Sequence, residues 1–192
     1  MERLSFSFVL GYHGCDRAVG ERILSGEPFE PSANEYDWLG PGVYFWEANP
    51  LRGLEWAEEQ ARRGSSKVKN PFVIGAVIDL GNCLDLSTSL GCQFAKIAFE
   101  SLRDWGPPLP TNSSRGRHAL DCAVIRHALD MASWSLPDFP TRPFDTVRGI
   151  FQEGDPLFEG SSLRAKTHVQ IAVPSLNAIK GVFRVPDRHL RR

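Results

Sequence analysis

The chain has 192 residues, of which 42% are hydrophobic and 23% charged, and its formal net charge is -1. These values are typical of one globular domain with a substantial core, and the near-neutral charge excludes nucleic-acid binding through a global positive field. Four scattered cysteines lack the close spacing of a zinc site, and no apolar stretch is long enough for a signal peptide or a membrane span. We therefore expect a cytoplasmic protein with free thiols, no metal and no membrane contact.

Hydrophobic periodicity predicts six strands and four helices. The first strand alternates, so that Phe8 and Leu10 are expected to face the core together with Tyr12. Suitable capping residues precede three of the helices. In chain order the predicted elements are a strand over 5–12, a helix capped by Asp16 that stops at Gly26, a strand over 43–46, a helix from Asn49 to a stop at Gly64, a strand over 72–78, a helix capped at 87 or 88 that includes 90–102, a helix over 119–132, and strands over 146–151, 168–173 and 179–185.

Strands therefore cluster at both ends of the chain, and helices lie between them. This arrangement predicts a mixed α+β fold. No repeat or interdomain linker interrupts the sequence, so residues 1–192 are expected to form a single domain. The middle of the chain, residues 80–143, is expected to be a helical insertion whose role the sequence does not indicate.

Two short motifs flank the first predicted helix. Residues 12–15 read Tyr-His-Gly-Cys at the end of the first strand, and residues 40–45 read Gly-Pro-Gly-Val-Tyr-Phe at the start of the second. Holding and cleaving the nicotinamide–ribose bond of NAD requires an aromatic wall, backbone hydrogen bonds at a glycine, a histidine and a hydrogen-bond acceptor. Taken singly, each of these residues is an ordinary structural residue, so the functional interpretation depends on their joint order.

These motifs resemble those of the poly(ADP-ribose) polymerase branch of the ADP-ribosyltransferase superfamily. The resemblance covers residues 4–61 well and 146–185 weakly. It implies split antiparallel β-sheets with flanking helices in a single domain, and NAD as the substrate without a metal. It also implies transfer of ADP-ribose to a macromolecular acceptor, either protein or nucleic acid. Small members of this superfamily resemble bacterial toxins and anti-phage effectors, which implies a cognate inhibitor protein, or antitoxin, as a partner.

The resemblance also implies individual roles. His13 would bind the adenine-side ribose, Gly14 would pair its backbone with the nicotinamide carboxamide, and Tyr44 would stack on the nicotinamide ring. The family has a glutamate on a late strand, for which Gln170 is the counterpart here, and His168 on the same strand face would act as a general base. The complete predicted set is His13, Tyr44, Gln170 and His168 for catalysis, and Tyr12, His13, Gly14, Gly42, Tyr44, Phe45 and Arg52 for NAD binding.

Gln170 departs from the family pattern. A glutamine can accept a hydrogen bond from the ribose 2′-hydroxyl, but it supplies no negative charge, and loss of such a contact typically costs roughly a hundredfold to a thousandfold in rate. Three alternatives stay open: a slow transferase, a site completed by Glu153 or Glu159, or a module that binds NAD or ADP-ribose without cleaving it. RNA 2′-phosphotransferase chemistry is disfavoured because its set of arginines and histidines is not found. Arg52 either reaches the NAD pyrophosphate or is a solvated helix residue.

Overall fold

The computed structural model describes residues 8–63, 66–113, 117–132 and 142–191. Within these ranges, seven strands form one sheet in the order β4-β5-β6-β2-β1-β3-β7, accompanied by four α-helices. All neighbouring strands are antiparallel except β4 and β5. The elements are β1 (Phe8–Asp16), α1 (Arg17–Leu24), β2 (Val43–Glu47), α2 (Pro50–Arg62), β3 (Pro71–Asp79), β4 (Cys83–Asp85), α3 (Ser89–Trp105), α4 (Ala119–Met131), β5 (Thr146–Phe151), β6 (His168–Val173) and β7 (Ile179–Arg184), with short 3-10 helices at Leu176–Ala178 and Asp187–His189.

Three helices begin at the residues that the sequence indicated. The Asp16 side chain accepts a hydrogen bond from the Ala18 amide at the start of α1. Asn49 caps α2 with Pro50 at its first position, and Thr88 caps α3. Because each cap satisfies an amide that has no partner inside the helix, these residues fix where the helices start.

The seam between β1 and β2 has the fewest paired residues of any junction in the described sheet. β1 pairs with β3 over all nine of its residues, but it pairs with β2 only at Gly11↔Glu47 and Tyr12↔Trp46. The strands and helices together confirm the predicted mixed α+β class. The described strands form one continuous sheet, whereas the resemblance implied two split sheets. These two pairs and a hydrogen bond from the Ala48 amide to the Leu10 carbonyl join the backbones of the two halves, and the rest of β1 does not pair with β2.

The two faces of the sheet have different coverings. On one face, a row of residues in register runs across four strands, and it packs against α3 and α4 in the largest core cluster. The row consists of Leu84, Val147, Ala172 and Tyr44. On the opposite face, Phe45 and Ile171 pack in a second cluster with Ile23 of α1. The described part of residues 80–143 therefore supplies both an edge strand, β4, and a helical layer.

The predicted orientation of the first strand is wrong at its beginning. Phe8 and Leu10 are 58% and 47% exposed, although they share a strand face with the buried Tyr12. The reason is that α2 packs over only the later part of β1, where a Cβ on Gly14 would lie 2.2 Å from the Gly53 carbonyl oxygen. Alternation alone does not indicate how much of a strand its covering helix reaches.

Candidate functional site

A cleft of about 1060 Å³ opens where β1 and β2 separate. Small-molecule sites commonly have volumes of about 300–1,000 Å³, so this cleft has room for a ligand at the large end of that range. Six of the predicted site residues line it, contributed by β1, the loop before β2, β2 itself, α2 and β6. They are His13, Gly14, Gly42, Tyr44, Arg52 and Gln170.

His13 connects the two strands of the seam where their backbones no longer pair. Its Nδ1 lies 2.9 Å from the carbonyl oxygen of Tyr44. Because a carbonyl oxygen only accepts, Nδ1 must carry the proton, and Nε2 of the neutral ring is then an acceptor. Burial lowers the pKa of His13, an effect that the bond to Tyr44 partly offsets. The imidazole is therefore neutral at neutral pH, and it packs on Phe29 and Phe45.

The Tyr44 side chain is fixed by its own preceding loop. Its hydroxyl donates to the Gly40 carbonyl at 2.8 Å and accepts from the Leu39 amide at 3.0 Å. Burial, with a contribution from the charge of Asp37, raises the pKa of Tyr44, so the hydroxyl stays protonated. With both hydroxyl bonds directed into the loop, the aromatic ring is the part of Tyr44 that is presented to the cleft.

Gly42 has a backbone conformation that only glycine adopts without strain. Its φ is +150°, and a Cβ there would lie 2.8 Å from the carbonyl carbon of Val173. Its amide and carbonyl both pair with Ser32 at 2.9 Å, which attaches the long loop to the entrance of β2. Gly42 and Gly14 are thus required for close backbone packing in this fold, whatever ligand the cleft holds.

Gln170 is oriented by a tryptophan 132 residues away. Trp38 Nε1 donates to Gln170 Oε1 at 2.6 Å. An indole N–H can only donate, so the partner atom must be the amide oxygen, and the NH₂ group of Gln170 is left to donate elsewhere. Trp38 lies against Gly149, where a Cβ would approach its ring to 2.7 Å, and against Phe151.

Three predicted residues do not line the cleft. Tyr12 is buried and meets Phe183 edge-on at 6.2 Å, and Phe45 is 0% exposed beneath His13. The prediction that Tyr12 and Phe45 contact the cofactor is therefore wrong in this structure. Both stand next to lining residues in the sequence, but other side chains cover them: Phe183 lies against Tyr12, and His13 and Phe29 lie against Phe45.

His168 shares the Gln170 face of β6, as predicted, but other rings cover it. It is 6% exposed, and its ring packs on Trp46 at 6.3 Å and on Phe151 at 5.6 Å. Nδ1 lies 2.6 Å from the Lys166 carbonyl and so carries the proton, while Nε2 is buried without a hydrogen-bond partner. Burial lowers the pKa of His168. The neutral ring has a basic nitrogen, but that nitrogen lies behind the cleft surface.

Arg52 is buried, which corrects the alternative of a solvated helix residue. It is 5% exposed, and its Nη2 donates to Glu153 Oε2 at 2.7 Å. Nη1 lies 3.6 Å from Glu59 Oε1, beyond hydrogen-bond distance, and the guanidinium carbon lies 5.9 Å from the centre of the Trp46 ring. Glu153 lines the cleft and Glu159 does not. The Arg52–Glu153 pair spans 101 residues, so no local pattern indicates it.

Phe151 and His118 are among the aromatic residues of the cleft that the sequence analysis missed. Their rings lie 5.4 Å apart. Phe151 alternates with Gly149 at the end of a predicted strand, and that position was the available signal. His118 lies just before the helix predicted over 119–132, in a segment for which the sequence predicted neither a helix nor a strand.

Among the residues that the structure describes, no group of three histidine, cysteine, aspartate or glutamate side chains is arranged to hold a metal ion. The four cysteines carry free thiols, and burial raises the pKa of Cys15 to about 12. The Cys15 thiol is therefore not ionised at neutral pH. None of the described helices has the length and apolar character to cross a membrane.

Comparison with known proteins gives one partial likeness. The chain is 31% identical over 67 residues to an uncharacterized protein of Methanocaldococcus jannaschii, and the match covers 35% of this chain. The chain spans about a third of that relative, 31% of its length. No family model matches the sequence, and no solved structure matches it.

Proposed function

We propose that the chain binds NAD in this cleft, cleaves its nicotinamide–ribose bond and transfers ADP-ribose to a macromolecular acceptor. The observation that carries the proposal is the bond between His13 and Tyr44 across the open seam, in a cleft that also exposes Gln170. These three residues come from separate strands, and the motif resemblance required them to meet. The finer fold assignment, an ADP-ribosyltransferase-like domain, is part of the same proposal.

The electrostatics of the cleft suit a ligand that carries or develops positive charge. The lining residues include four carboxylates and three arginines, together with several aromatic rings. Nicotinamide in NAD is cationic, and the ribose gains positive charge as nicotinamide leaves, so carboxylates and π faces favour both states. The carboxylates are Glu30, Asp37, Glu59 and Glu153, and the arginines are Arg52, Arg63 and Arg117.

Each of the lining residues is suited to a different part of NAD. The Tyr44 ring offers a flat surface to the nicotinamide, and Nε2 of neutral His13 accepts a hydrogen bond from a ribose hydroxyl. Arg52 is a partner for the pyrophosphate. Gln170 contributes hydrogen bonds without charge, so we assign the negative charge near the ribose to Glu153, the cleft carboxylate that the sequence had offered as a substitute.

Release of nicotinamide from NAD tests the proposal. We expect steady release by the wild-type chain and its loss in His13→Ala and in Tyr44→Ala. Trp105→Ala is the control, because that side chain is 90% exposed and does not line the cleft. Absence of release together with absence of NAD binding would refute the proposal.

A second candidate is a module that binds NAD or ADP-ribose without cleaving it. It is favoured by the same Gln170, which has no charge and whose carbonyl oxygen is already engaged by Trp38. NAD binding in the absence of nicotinamide release would support this candidate. The toxin or anti-phage role, the protein or nucleic-acid acceptor, the inhibitor protein and the cytoplasmic location stay predictions from the sequence.

A further inference from the structure

Among the described residues, four of the five buried side-chain polar atoms without a hydrogen-bond partner are grouped around Trp46, at one end of the cleft. They are Nε1 of Trp46, Nε and Nη1 of Arg52, and Nε2 of His168, and the fifth is Nε of Arg126 on α4. Trp46 contacts both Arg52 and His168, with the Arg52 guanidinium carbon 5.9 Å and the His168 ring 6.3 Å from its ring. Unsatisfied buried groups are costly, and native proteins contain few of them. Trp46 and Arg52 line the cleft, so a polar ligand there can complete the hydrogen bonding of these two residues.

Arg52 and the two carboxylates near it differ in their exposure and in their partners. Its side chain is 6% exposed, whereas that of Glu153 is 37% exposed. Glu59, the other nearby carboxylate, is engaged by Lys166 at 2.8 Å. Glu153 is therefore the hydrogen-bonded counter-charge of Arg52, and it is also the more accessible of the two carboxylates.

Glu153 contacts one nitrogen of the Arg52 guanidinium, and the position of that nitrogen determines which hydrogen bonds stay unmade. A guanidinium binds an oxyanion with two parallel hydrogen bonds, either through Nε and Nη2 or through Nη1 and Nη2. Glu153 takes Nη2, which belongs to both pairs, and leaves Nε and Nη1 unsatisfied. One oxygen bonded to Nη2 thus engages one bidentate edge of Arg52 without completing it, and Nε and Nη1 have no partner.

We propose that Arg52 is an anion-binding residue and that Glu153 is an internal competitor, which a ligand carrying a diphosphate displaces from the guanidinium. The diphosphate as ligand rests on the proposed NAD-binding function. Two phosphates can satisfy both edges of the guanidinium, which a single carboxylate oxygen cannot. Displacement leaves the negative charge of Glu153 unpaired inside the cleft, where the proposed reaction requires it.

The local backbone allows this exchange by movement of a side chain. The Glu153 carbonyl accepts from the Lys166 amide at 2.9 Å, which holds the main chain in place. Gly154 follows with a φ of +86° and turns the chain away after Glu153. The Glu153 side chain is therefore free to change its rotamer while the carbonyl bond is kept.

Titration calorimetry with inorganic pyrophosphate tests the exchange. In Glu153→Gln the competing charge is gone, so pyrophosphate should bind about tenfold more tightly than to the wild type. Arg52→Lys keeps the charge but loses the bidentate edges, and its binding should weaken by about tenfold or more. The matched control is Glu27→Gln: Glu27 pairs with Arg22 at the similar distance of 2.8 Å, with both side chains more than half exposed, and its affinity should equal that of the wild type.

Unchanged or weaker pyrophosphate binding in Glu153→Gln, or no binding to either protein, would overturn the exchange. Glu153→Ala repeats the test with a different side chain, and it must show the same gain. This outcome is independent of the proposed function. Tighter pyrophosphate binding in Glu153→Gln without nicotinamide release by the wild type would refute the transferase and support the exchange. Nicotinamide release without the gain in pyrophosphate affinity would support the transferase and refute the exchange.

Discussion

Replacing Tyr44 with phenylalanine separates two roles of this residue. The ring, which faces the cleft, is kept, and only the hydroxyl is lost. That hydroxyl accepts from the Leu39 amide and donates to the Gly40 carbonyl, so both backbone groups lose their partner. Leu39 is 0% exposed, and water has no access to replace the bond.

The cost can be worked out from these contacts. A neutral hydrogen bond contributes about 1 kcal/mol to stability, and a buried amide left unsatisfied costs about 1–3 kcal/mol. We therefore expect Tyr44→Phe to lower the free energy of unfolding by about 2–4 kcal/mol. For a chain of this size, 1 kcal/mol corresponds to about 2–4 °C in melting temperature, so the expected decrease is about 4–16 °C.

Urea unfolding and nicotinamide release should be measured on the same preparations. Tyr44→Phe should lose stability but keep most of the release rate below its melting temperature, whereas Tyr44→Ala should lose both. Tyr36→Phe is the control, because Tyr36 also lines the cleft but is 39% exposed. A loss of stability below about 0.5 kcal/mol in Tyr44→Phe, or a release rate as low as that of Tyr44→Ala, would refute the reasoning.

Three further changes have defined outcomes. Gly42→Ala should lower the free energy of unfolding in urea by about 3 kcal/mol or more, because it combines a φ of +150° with a backbone clash. The control is Gly181→Ala, where no atom lies near the new Cβ and no such loss is expected; equal losses in the two variants would contradict this. Burial lowers the pKa values of His13 and His168, so below about pH 6.5 the unfolded chain binds more protons than the folded chain. The free energy of unfolding should therefore be at its full value above about pH 6.5 and decrease below it, by at most about 2.7 kcal/mol per pH unit for the two groups together. A free energy of unfolding that stays constant between about pH 5 and 7 would contradict this prediction. Gln170→Glu should raise the rate of nicotinamide release at similar NAD affinity, and a lower rate would show that the amide itself is needed.

Local sequence was sufficient for most element boundaries. Asp16, Asn49 and Thr88 cap helices through bonds to residues two or three positions away, and such contacts are visible in a pattern of letters. β4 was missed because its three residues, Cys83–Asp85, are too few to show a period.

The site was predictable only where its residues belong to short motifs. His13 and Tyr44 were found because His13 directly precedes Gly14, Tyr44 follows Gly42 by two positions, and the two motifs occur in a recognisable order. The bond from Trp38 to Gln170 and the bond from Arg52 to Glu153 link residues more than a hundred positions apart. These contacts depend on strand order and on the path of the loops, which hydrophobic periodicity does not contain.

The most direct test of an NAD-binding cleft is a crystal structure of the chain with NAD or its nicotinamide product. The proposal predicts that the nicotinamide ring packs on Tyr44. In the NAD complex, a hydroxyl of the adenine-side ribose should be hydrogen-bonded to His13, and Gln170 should lie beside the nicotinamide-side ribose. Nucleotide bound at another surface, such as the groove between Arg17 and Arg184, with the cleft empty at saturating NAD, would contradict it.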